Sequence, residues 1–229
     1  MFESLVRQVA DYRGDLMRNI KGIRVSQDLF DDLARDAADR EVAIAAESAT
    51  RIPSPAPLIT RPFDYGTVIT YPFAPHHWHT TRYSEGLEYG VWYGALAIET
   101  TVYETLYHWH RFIQDSYLNL ERDVLGERRV FQVRCEAILI DLRAAAEPRL
   151  IDRNDYSFTH QLGRYLWQRA QSGLLAPSAR GPGTCAAVFR PEALSQVRDV
   201  CFLTYRLRGN TASIERSPGD TWLRITIPA

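Results

Sequence analysis

Three short pieces of sequence between residues 82 and 104 guide the interpretation of the whole chain: Arg82-Tyr83-Ser84-Glu85-Gly86, Gly90-Val91-Trp92-Tyr93-Gly94 and Glu99-Thr100-Thr101-Val102-Tyr103-Glu104. Their order is typical of a turn, a short aromatic strand and the start of a helix. An arginine fork suits a phosphate, a tyrosine ring suits a flat heterocycle, and a carboxylate suits a developing sugar cation. We therefore expect these pieces to form a pocket for a dinucleotide.

Patterns on either side of these pieces indicate further strands and helices. We expect a helix at residues 100–113, a core helix at 156–172 that ends at Gly173, and a long strand at 130–140. Further strands are predicted at residues 67–71, 90–95 and 186–189, and three more after Val200, with turns at 208–210 and 217–220. Strands and helices do not alternate strictly, so the pattern predicts an α+β fold with a mixed, largely antiparallel sheet.

The first 50 residues are predicted to form an N-terminal helical extension. Leu5, Val9, Tyr12, Leu16 and Ile20 recur at helical spacing, and a second helix is expected after Ser26. Prolines at 53, 55 and 57 predict an extended linker over residues 51–62, because proline and the residue before it disfavour helix. Residues 63–229 then form the main domain.

Composition excludes several classes of protein. The 229 residues are 45% hydrophobic and 24% charged, with a formal net charge of −1, so nucleic acid is not an expected partner. No apolar run reaches the ~18 residues that a membrane span requires. Three widely spaced cysteines without a CxxC pair are typical of reduced thiols, and we expect a cytoplasmic protein.

Histidines at 76, 77, 79, 108 and 110 raise the question of a metal site, but their settings disfavour one. The first three lie in a loop beside Pro75, and His108 and His110 are separated by about 200° around a helix. No HExxH, Walker loop, GxSxG or strand-linked GxGxxG is present. We therefore predict neither a metal nor a bound cofactor.

Periodicity alone leaves the role of Glu104 open. It falls opposite the apolar stripe of its predicted helix and shares a side with His108, a pattern that favours a solvated face. Arg82 is equally compatible with an exposed strand end. The spacing of these residues therefore has to be compared with known families.

The motif order resembles that of the RES domain over roughly residues 60–205. The shared features are an arginine turn, a following glycine, a tyrosine on a strand, a glutamate in the next helix, a late Pro-Ser pair and a closing strand that ends in proline. They correspond here to Arg82-Tyr83-Ser84, Gly86, Tyr93, Glu104, Pro177-Ser178 and residues 186–191. In place of the family's usual residues the chain has Thr81 for glycine and Tyr83-Ser84 for Trp-Asn.

This resemblance implies a toxin of a bacterial toxin–antitoxin pair with a core similar to that of ADP-ribosyltransferases. Such proteins consume NAD by cleaving the bond between nicotinamide and ribose, with phosphate or water as acceptor. NAD is then a substrate and not a cofactor. The implied partner is a small antitoxin, and self-association remains open.

The resemblance also implies site roles, which we take as hypotheses. Arg82 would bind the pyrophosphate, Tyr93, with Tyr83 second, would stack on nicotinamide, and Glu104 would stabilise the ribosyl cation. Ser178 would orient the ribose or the nicotinamide amide. Two alternatives stay open: transfer of ADP-ribose to a protein, and a catalytically silent module that binds a partner.

Overall fold

Eight strands and three α-helices account for most of residues 2–22, 66–116 and 123–227, which are the residues that the computed structural model describes. The strands are β1 (Val9–Lys21), β2 (Trp92–Ala95), β3 (Val124–Asp141), β4 (Gly173–Pro177), β5 (Thr184–Val188), β6 (Leu194–Arg208), β7 (Thr211–Ser217) and β8 (Asp220–Thr226). The helices are α1 (Gly66–Thr70), α2 (Ile98–Ser116) and α3 (Ser157–Gln168).

The strands form one sheet in the order β1-β2-β5-β4-β3-β6-β7-β8. Strand β1 also pairs with β3 along its whole length, from Val9 opposite Ile140 to Lys21 opposite Arg128. This second pairing closes β1, β2, β5, β4 and β3 into a ring, which β6, β7 and β8 extend. Only β3 and β4 pair in parallel among these strands. The predicted α+β class with a largely antiparallel sheet is therefore confirmed.

Strand β1 corrects the prediction of a helix at residues 5–20 and, with it, this half of the helical extension. The spacing between Tyr12 and Leu16 satisfies both a helix and a strand, since four residues are two strand periods. The exposed positions decide between them, because Asp11, Arg13 and Asp15 alternate with inward-facing residues. Leu16 is fully buried in the core beneath the sheet.

Helix α1 replaces the strand predicted at residues 67–71. The β-branched residues Thr67, Val68 and Ile69 favour a strand locally. In the fold, Val68 is buried as one turn of helix, and its carbonyl oxygen accepts a hydrogen bond from Nε1 of Trp92 at 2.9 Å. A 3-10 turn, Tyr71–Phe73, follows with Pro72 in it. Packing against Trp92 therefore overrides the local preference.

The two long helices pack on the sheet close to where they were predicted. The apolar stripe of α2 is buried as expected, with Val102, Leu106 and Ile113 in the core. Helix α3 ends at Gln168 and not at Gly173, because Ala170 adopts a left-handed φ of 55°. Gly173 begins β4.

The three strands predicted after Val200 are confirmed as β6, β7 and β8, with turns at both predicted places. The second N-terminal helix, the proline linker and the predicted boundary near residue 50 lie outside the described residues. Within the described ranges, no helix is long and apolar enough to cross a bilayer.

Replacing Leu16 tests whether β1 is a core strand. We expect Leu16→Ala to lower the free energy of unfolding by about 2–5 kcal/mol, because it opens a cavity at a fully buried position. The matched control is Leu125→Ala on β3, where the leucine is 55% exposed, and there the change should stay within about 0.5 kcal/mol. Urea unfolding of both variants measures the difference. Equal, small effects would show that β1 does not belong to the core.

Candidate active site

A cavity of about 490 Å³ opens beside the ring of strands and collects most of the residues predicted to be functional. Its size lies within the range of ligand pockets. The walls come from β1, β2, the end of β4, β5, α2, the 3-10 turn after α1 and the turn at residues 79–83, together with Tyr156 and Ala179. The lining includes four of the five predicted site residues, Arg82, Tyr83, Tyr93 and Glu104.

The turn that carries Arg82 is fixed by hydrogen bonds on both sides. The Ser84 hydroxyl donates to the carbonyl oxygen of Tyr89 at 2.7 Å and accepts from the backbone N–H of Gly86 at 3.0 Å. The hydroxyl of Tyr89 donates to the carbonyl oxygen of Tyr83 at 2.6 Å. Helix α3 approaches so closely that a Cβ on Gly163 would collide with that same carbonyl. The turn therefore has little freedom to move.

Arg82 lies in the cavity wall with part of its guanidinium unused. Its Nη1 donates to the carbonyl oxygens of Leu150 and Asp152, at 3.3 and 2.7 Å, and its Cζ lies 4.6 Å from the ring centroid of Tyr156. Its Nη2 is buried without a hydrogen-bond partner. Among the described residues, no carboxylate forms an ion pair with Arg82. Carbonyls thus hold the side chain and leave a positively charged donor for a ligand.

The two predicted aromatic residues are adjacent. The rings of Tyr83 and Tyr93 are nearly parallel, with centroids 6.5 Å apart. The Tyr93 hydroxyl accepts from the backbone N–H of Tyr83 at 2.9 Å and donates to Oγ1 of Thr81 at 3.0 Å. Burial raises the pKa of both phenols, so both remain protonated. The Tyr83 hydroxyl is buried without a partner.

Glu104 is not a solvated surface residue. The Ser178 hydroxyl donates to Oε1 of Glu104 at 2.6 Å, and the Cys185 thiol lies 3.6 Å from the same oxygen. Backbone N–H groups of Arg180 and Gly181 donate to the Ser178 oxygen at 3.2 Å. The Ser178 proton is therefore committed to Glu104, while Oε2 accepts no hydrogen bond from a described residue. This arrangement makes Ser178 an orienting group for the carboxylate.

Arg18 is a cavity residue that the sequence did not reveal. It extends from β1, donates from Nη1 to the carbonyl oxygen of Tyr93 at 2.8 Å, and lies with Cζ 5.0 Å from the ring centroid of Trp92. Burial lowers its pKa to about 10, so it remains charged at neutral pH. Its Nε has no partner, and no described carboxylate pairs with it. The helical interpretation of residues 1–49 concealed this cation.

Arg180 is a second residue that sequence reasoning missed, two positions after Ser178. Its Nη2 donates to the Tyr156 hydroxyl at 2.6 Å and to the carbonyl oxygen of Arg153 at 2.7 Å, and its Cζ lies 3.4 Å from the ring centroid of Tyr107. Arg180 thus binds the hydroxyl of Tyr156, while Arg82 lies over its ring. The Pro-Ser pair drew attention to Ser178, and nothing in the pattern singled out the arginine after it.

The histidine groups do not form a metal centre in this part of the chain. His76 and His77 lie in a 3-10 turn, where the ring of His77 stacks on Tyr71 with centroids 3.6 Å apart. His110 is buried, whereas His108 lies at the cavity edge. In the described ranges, no cluster of three or more histidine, cysteine, aspartate or glutamate residues could hold a metal ion.

Comparison with known families agrees with this geometry. The RES domain matches residues 48–208, which is more than half of the chain. The chain belongs to the RES-domain family. The family predicted from the Arg82, Tyr93, Glu104 and Ser178 motifs is thereby confirmed. The match begins after β1, so the family comparison alone does not include Arg18.

Three chains of solved structures match this chain, and one of them illustrates the degree of similarity. It comes from the crystal structure of the M. tuberculosis MbcT–MbcA toxin–antitoxin complex, with 16% sequence identity and a TM-score of 0.46. The alignment covers 86% of this chain and 92% of that one. No curated protein matches the chain.

Replacing Tyr93 tests how the turn at Arg82 is held. We expect Tyr93→Phe to lower the free energy of unfolding by about 1–3 kcal/mol, because the Tyr83 N–H and the Thr81 hydroxyl both lose their partner. Tyr12→Phe is the matched control, because the Tyr12 hydroxyl donates a solvent-exposed hydrogen bond to the carbonyl oxygen of Asp15. Its effect should stay within about 0.5 kcal/mol. Thermal or urea unfolding measures both, and equal effects would refute the bridging role of Tyr93.

Proposed function

We propose that this RES-domain protein degrades NAD by cleaving the bond between nicotinamide and ribose, and that it acts as the toxin of a toxin–antitoxin pair. The observation that carries this proposal is the grouping around one cavity of two guanidinium groups without carboxylate partners, two tyrosine rings and one oriented carboxylate. A dinucleotide offers a complementary feature for each of these groups.

The two cavity arginines suit the pyrophosphate. Arg82 and Arg18 each keep a buried nitrogen without a partner, and neither charge is neutralised by a described carboxylate. A buried charge without a counter-ion is unfavourable, so an anionic ligand would relieve that cost while gaining charge-assisted hydrogen bonds. Arg82 was assigned to the pyrophosphate from its motif, and Arg18 now joins it.

The tyrosines suit the leaving group. Nicotinamide in NAD is a cationic ring, and an aromatic face attracts such a ring by about 0.5–2 kcal/mol. Tyr93 is the better candidate for stacking because both hydrogen bonds of its hydroxyl fix the ring in place. Tyr83, whose hydroxyl has no partner, lies beside it.

Glu104 suits the reacting ribose. As the glycosidic bond breaks, its electron pair moves to the ring nitrogen, nicotinamide leaves as a neutral molecule, and positive charge develops on the ribose. The Glu104 carboxylate stabilises that charge, while the hydrogen bond from Ser178 holds it in one orientation. The acceptor, phosphate or water, then attacks the anomeric carbon.

Family membership supports the role as a toxin. A protein that consumes NAD in its own cell requires restraint, and an antitoxin that covers the cavity would supply it. The similar solved chain comes from a complex of that kind. A cognate antitoxin is therefore the partner that we propose for this chain.

An assay of the purified protein with NAD tests the activity. Nicotinamide should be released, and the second product identifies the acceptor. A phosphorylated ADP-ribose whose formation depends on added phosphate indicates phosphorolysis, and free ADP-ribose indicates hydrolysis. Radioactive label from NAD on protein in a cell extract would support transfer to a protein instead. Correctly folded protein that neither binds nor consumes NAD would favour a silent binding module.

Replacing Glu104 tests the role of the carboxylate. We expect Glu104→Gln to lower kcat by ~10²-fold or more with little change in NAD affinity, because the charge acts mainly in the transition state. Glu99→Gln is the matched control, as Glu99 is exposed in the first turn of the same helix and should leave kcat unchanged. Equal turnover in both variants would show that the Glu104 carboxylate does not contribute to catalysis.

Replacing either cavity arginine tests anion binding without turnover. We expect Arg82→Gln and Arg18→Gln each to weaken binding of ADP-ribose by about 10-fold or more, because each removes a charge-assisted hydrogen bond. Arg13→Gln on β1 is the control, since Arg13 is exposed and pairs with Asp11. Isothermal titration calorimetry measures the affinities. Unchanged affinity in either cavity variant would show that the replaced arginine does not bind the ligand.

A further inference from the structure

Asn19 is a buried polar residue of the cavity wall that the proposed function has not yet used. It lies on β1 next to Arg18, and only 9% of its surface is exposed to solvent. Its Nδ2 donates to the Tyr205 hydroxyl at 2.8 Å and to Oγ1 of Thr101 at 3.3 Å. Its Oδ1 is buried with no hydrogen-bond donor.

The surrounding hydroxyl groups determine the positions of the nitrogen and the oxygen of the Asn19 side-chain amide. The single proton of the Thr101 hydroxyl is directed to the carbonyl oxygen of Ile98 at 2.6 Å, so the Thr101 oxygen can only accept from Asn19. The Thr105 hydroxyl donates to the carbonyl oxygen of Thr101 at 2.8 Å.

That second donation determines the direction of the remaining bond. Since the proton of Thr105 is used, the contact of 2.9 Å between Thr105 and Tyr205 requires Tyr205 to donate. The oxygen of Tyr205 must then also accept from Asn19. The oxygens of Thr101 and Tyr205 therefore both accept from the amide nitrogen of Asn19. Flipping the amide would place its oxygen against these two oxygens and leave its N–H groups without acceptors. The Asn19 carbonyl oxygen is therefore the end left without a partner.

A buried carbonyl without a donor is costly, and a ligand that supplies an N–H or O–H removes that cost. Thr101 and Thr105 contact the Asn19 network and lie three residues before and one residue after Glu104 on α2. Thr101 and Glu104, three residues apart, are neighbours on one face of the helix, about 5–6 Å apart at Cβ. The missing donor thus belongs to the part of the ligand that lies next to Glu104.

We propose that Asn19 determines specificity by accepting a hydrogen bond from the carboxamide N–H₂ of nicotinamide. This inference rests on the proposed function, in which Glu104 lies at the bond between nicotinamide and ribose. The carboxamide and the ribose hydroxyls are the donors nearest to that bond in NAD, and the carboxamide is the donor that the leaving ring carries. The amino group of adenine lies at the other end of the dinucleotide. Asn19 then selects substrates that carry an amide on the leaving ring.

Three dinucleotides separate this proposal from its alternatives. In 3-acetylpyridine adenine dinucleotide a methyl group replaces the amide N–H₂ while shape and charge are kept. In nicotinamide hypoxanthine dinucleotide the adenine amino group is replaced instead. Affinities for these and for NAD are measured by calorimetry in a Glu104→Gln background, so that consumption does not interfere.

With Asn19 present, we expect the acetylpyridine analogue to bind about 10- to 100-fold more weakly than NAD, because it leaves the buried carbonyl unpaired. The hypoxanthine analogue should bind within about threefold of NAD. In Asn19→Leu, NAD and the acetylpyridine analogue should bind with affinities within about threefold of each other, since no amide oxygen remains to distinguish them. Asn210→Leu, in the exposed turn between β6 and β7, should keep the wild-type discrimination.

Folding of each variant is checked by circular dichroism, and Asn19→Ala replaces Asn19→Leu if the leucine does not fit. Equal binding of NAD and the acetylpyridine analogue to the protein with Asn19 would overturn the proposal, as would discrimination that persists without Asn19. Discrimination against the hypoxanthine analogue alone would place the acceptor at adenine and overturn it too. Failure of all three to bind would instead reject the proposed NAD function itself.

Discussion

The pairing of β1 with β3 is the constraint on which the cavity depends. It joins residues near the start of the chain to a strand more than a hundred residues later, and it closes five strands into a ring. At the point where the same strand also meets β2, through Met17 opposite Ala95, it places Arg18 and Asn19 in the cavity wall. Without this strand the cavity would lose one cation and its amide.

Electrostatics distinguish this cavity from an ordinary core. Its wall holds Arg18 and Arg82, and neither has a carboxylate partner among the described residues. Carbonyl oxygens of Tyr93, Leu150 and Asp152 hold the two guanidinium groups instead. Carbonyl contacts orient a guanidinium without neutralising it, so the positive charge remains available to a phosphate. Glu104, the only carboxylate that the described residues contribute to the wall, is oriented by a hydroxyl and not paired with a cation.

Local motifs predicted which side chains come together, because each motif is short and keeps its spacing. Arg82, Tyr83, Tyr93 and Glu104 come from adjacent elements and meet in one cavity, and Ser178 reaches Glu104 from after β4. The predicted phosphate-binding and catalytic roles remain hypotheses for experiment. What the sequence could not predict came from distant pairing. Tyr12 and Leu16 fit a helix and a strand equally, and the alternation of exposed residues along β1, together with its pairing to β3, resolves the choice. Arg18 was not recognised as a cavity residue because β1 was predicted to be a helix, and no sequence motif singled out Arg180.

Tyr93 connects the two cations of the cavity through different parts of one residue. Its carbonyl oxygen holds Arg18, and its hydroxyl receives the N–H of Tyr83, the immediate neighbour of Arg82. Arg18 and the turn that carries Arg82 therefore share a hydrogen-bond partner in one aromatic residue. Residues that share a partner in this way have coupled energetics, so the cost of losing both arginines should differ from the sum of the separate costs. In evolutionary terms, changes at the two positions would be constrained jointly, although one lies within the family domain and the other precedes it.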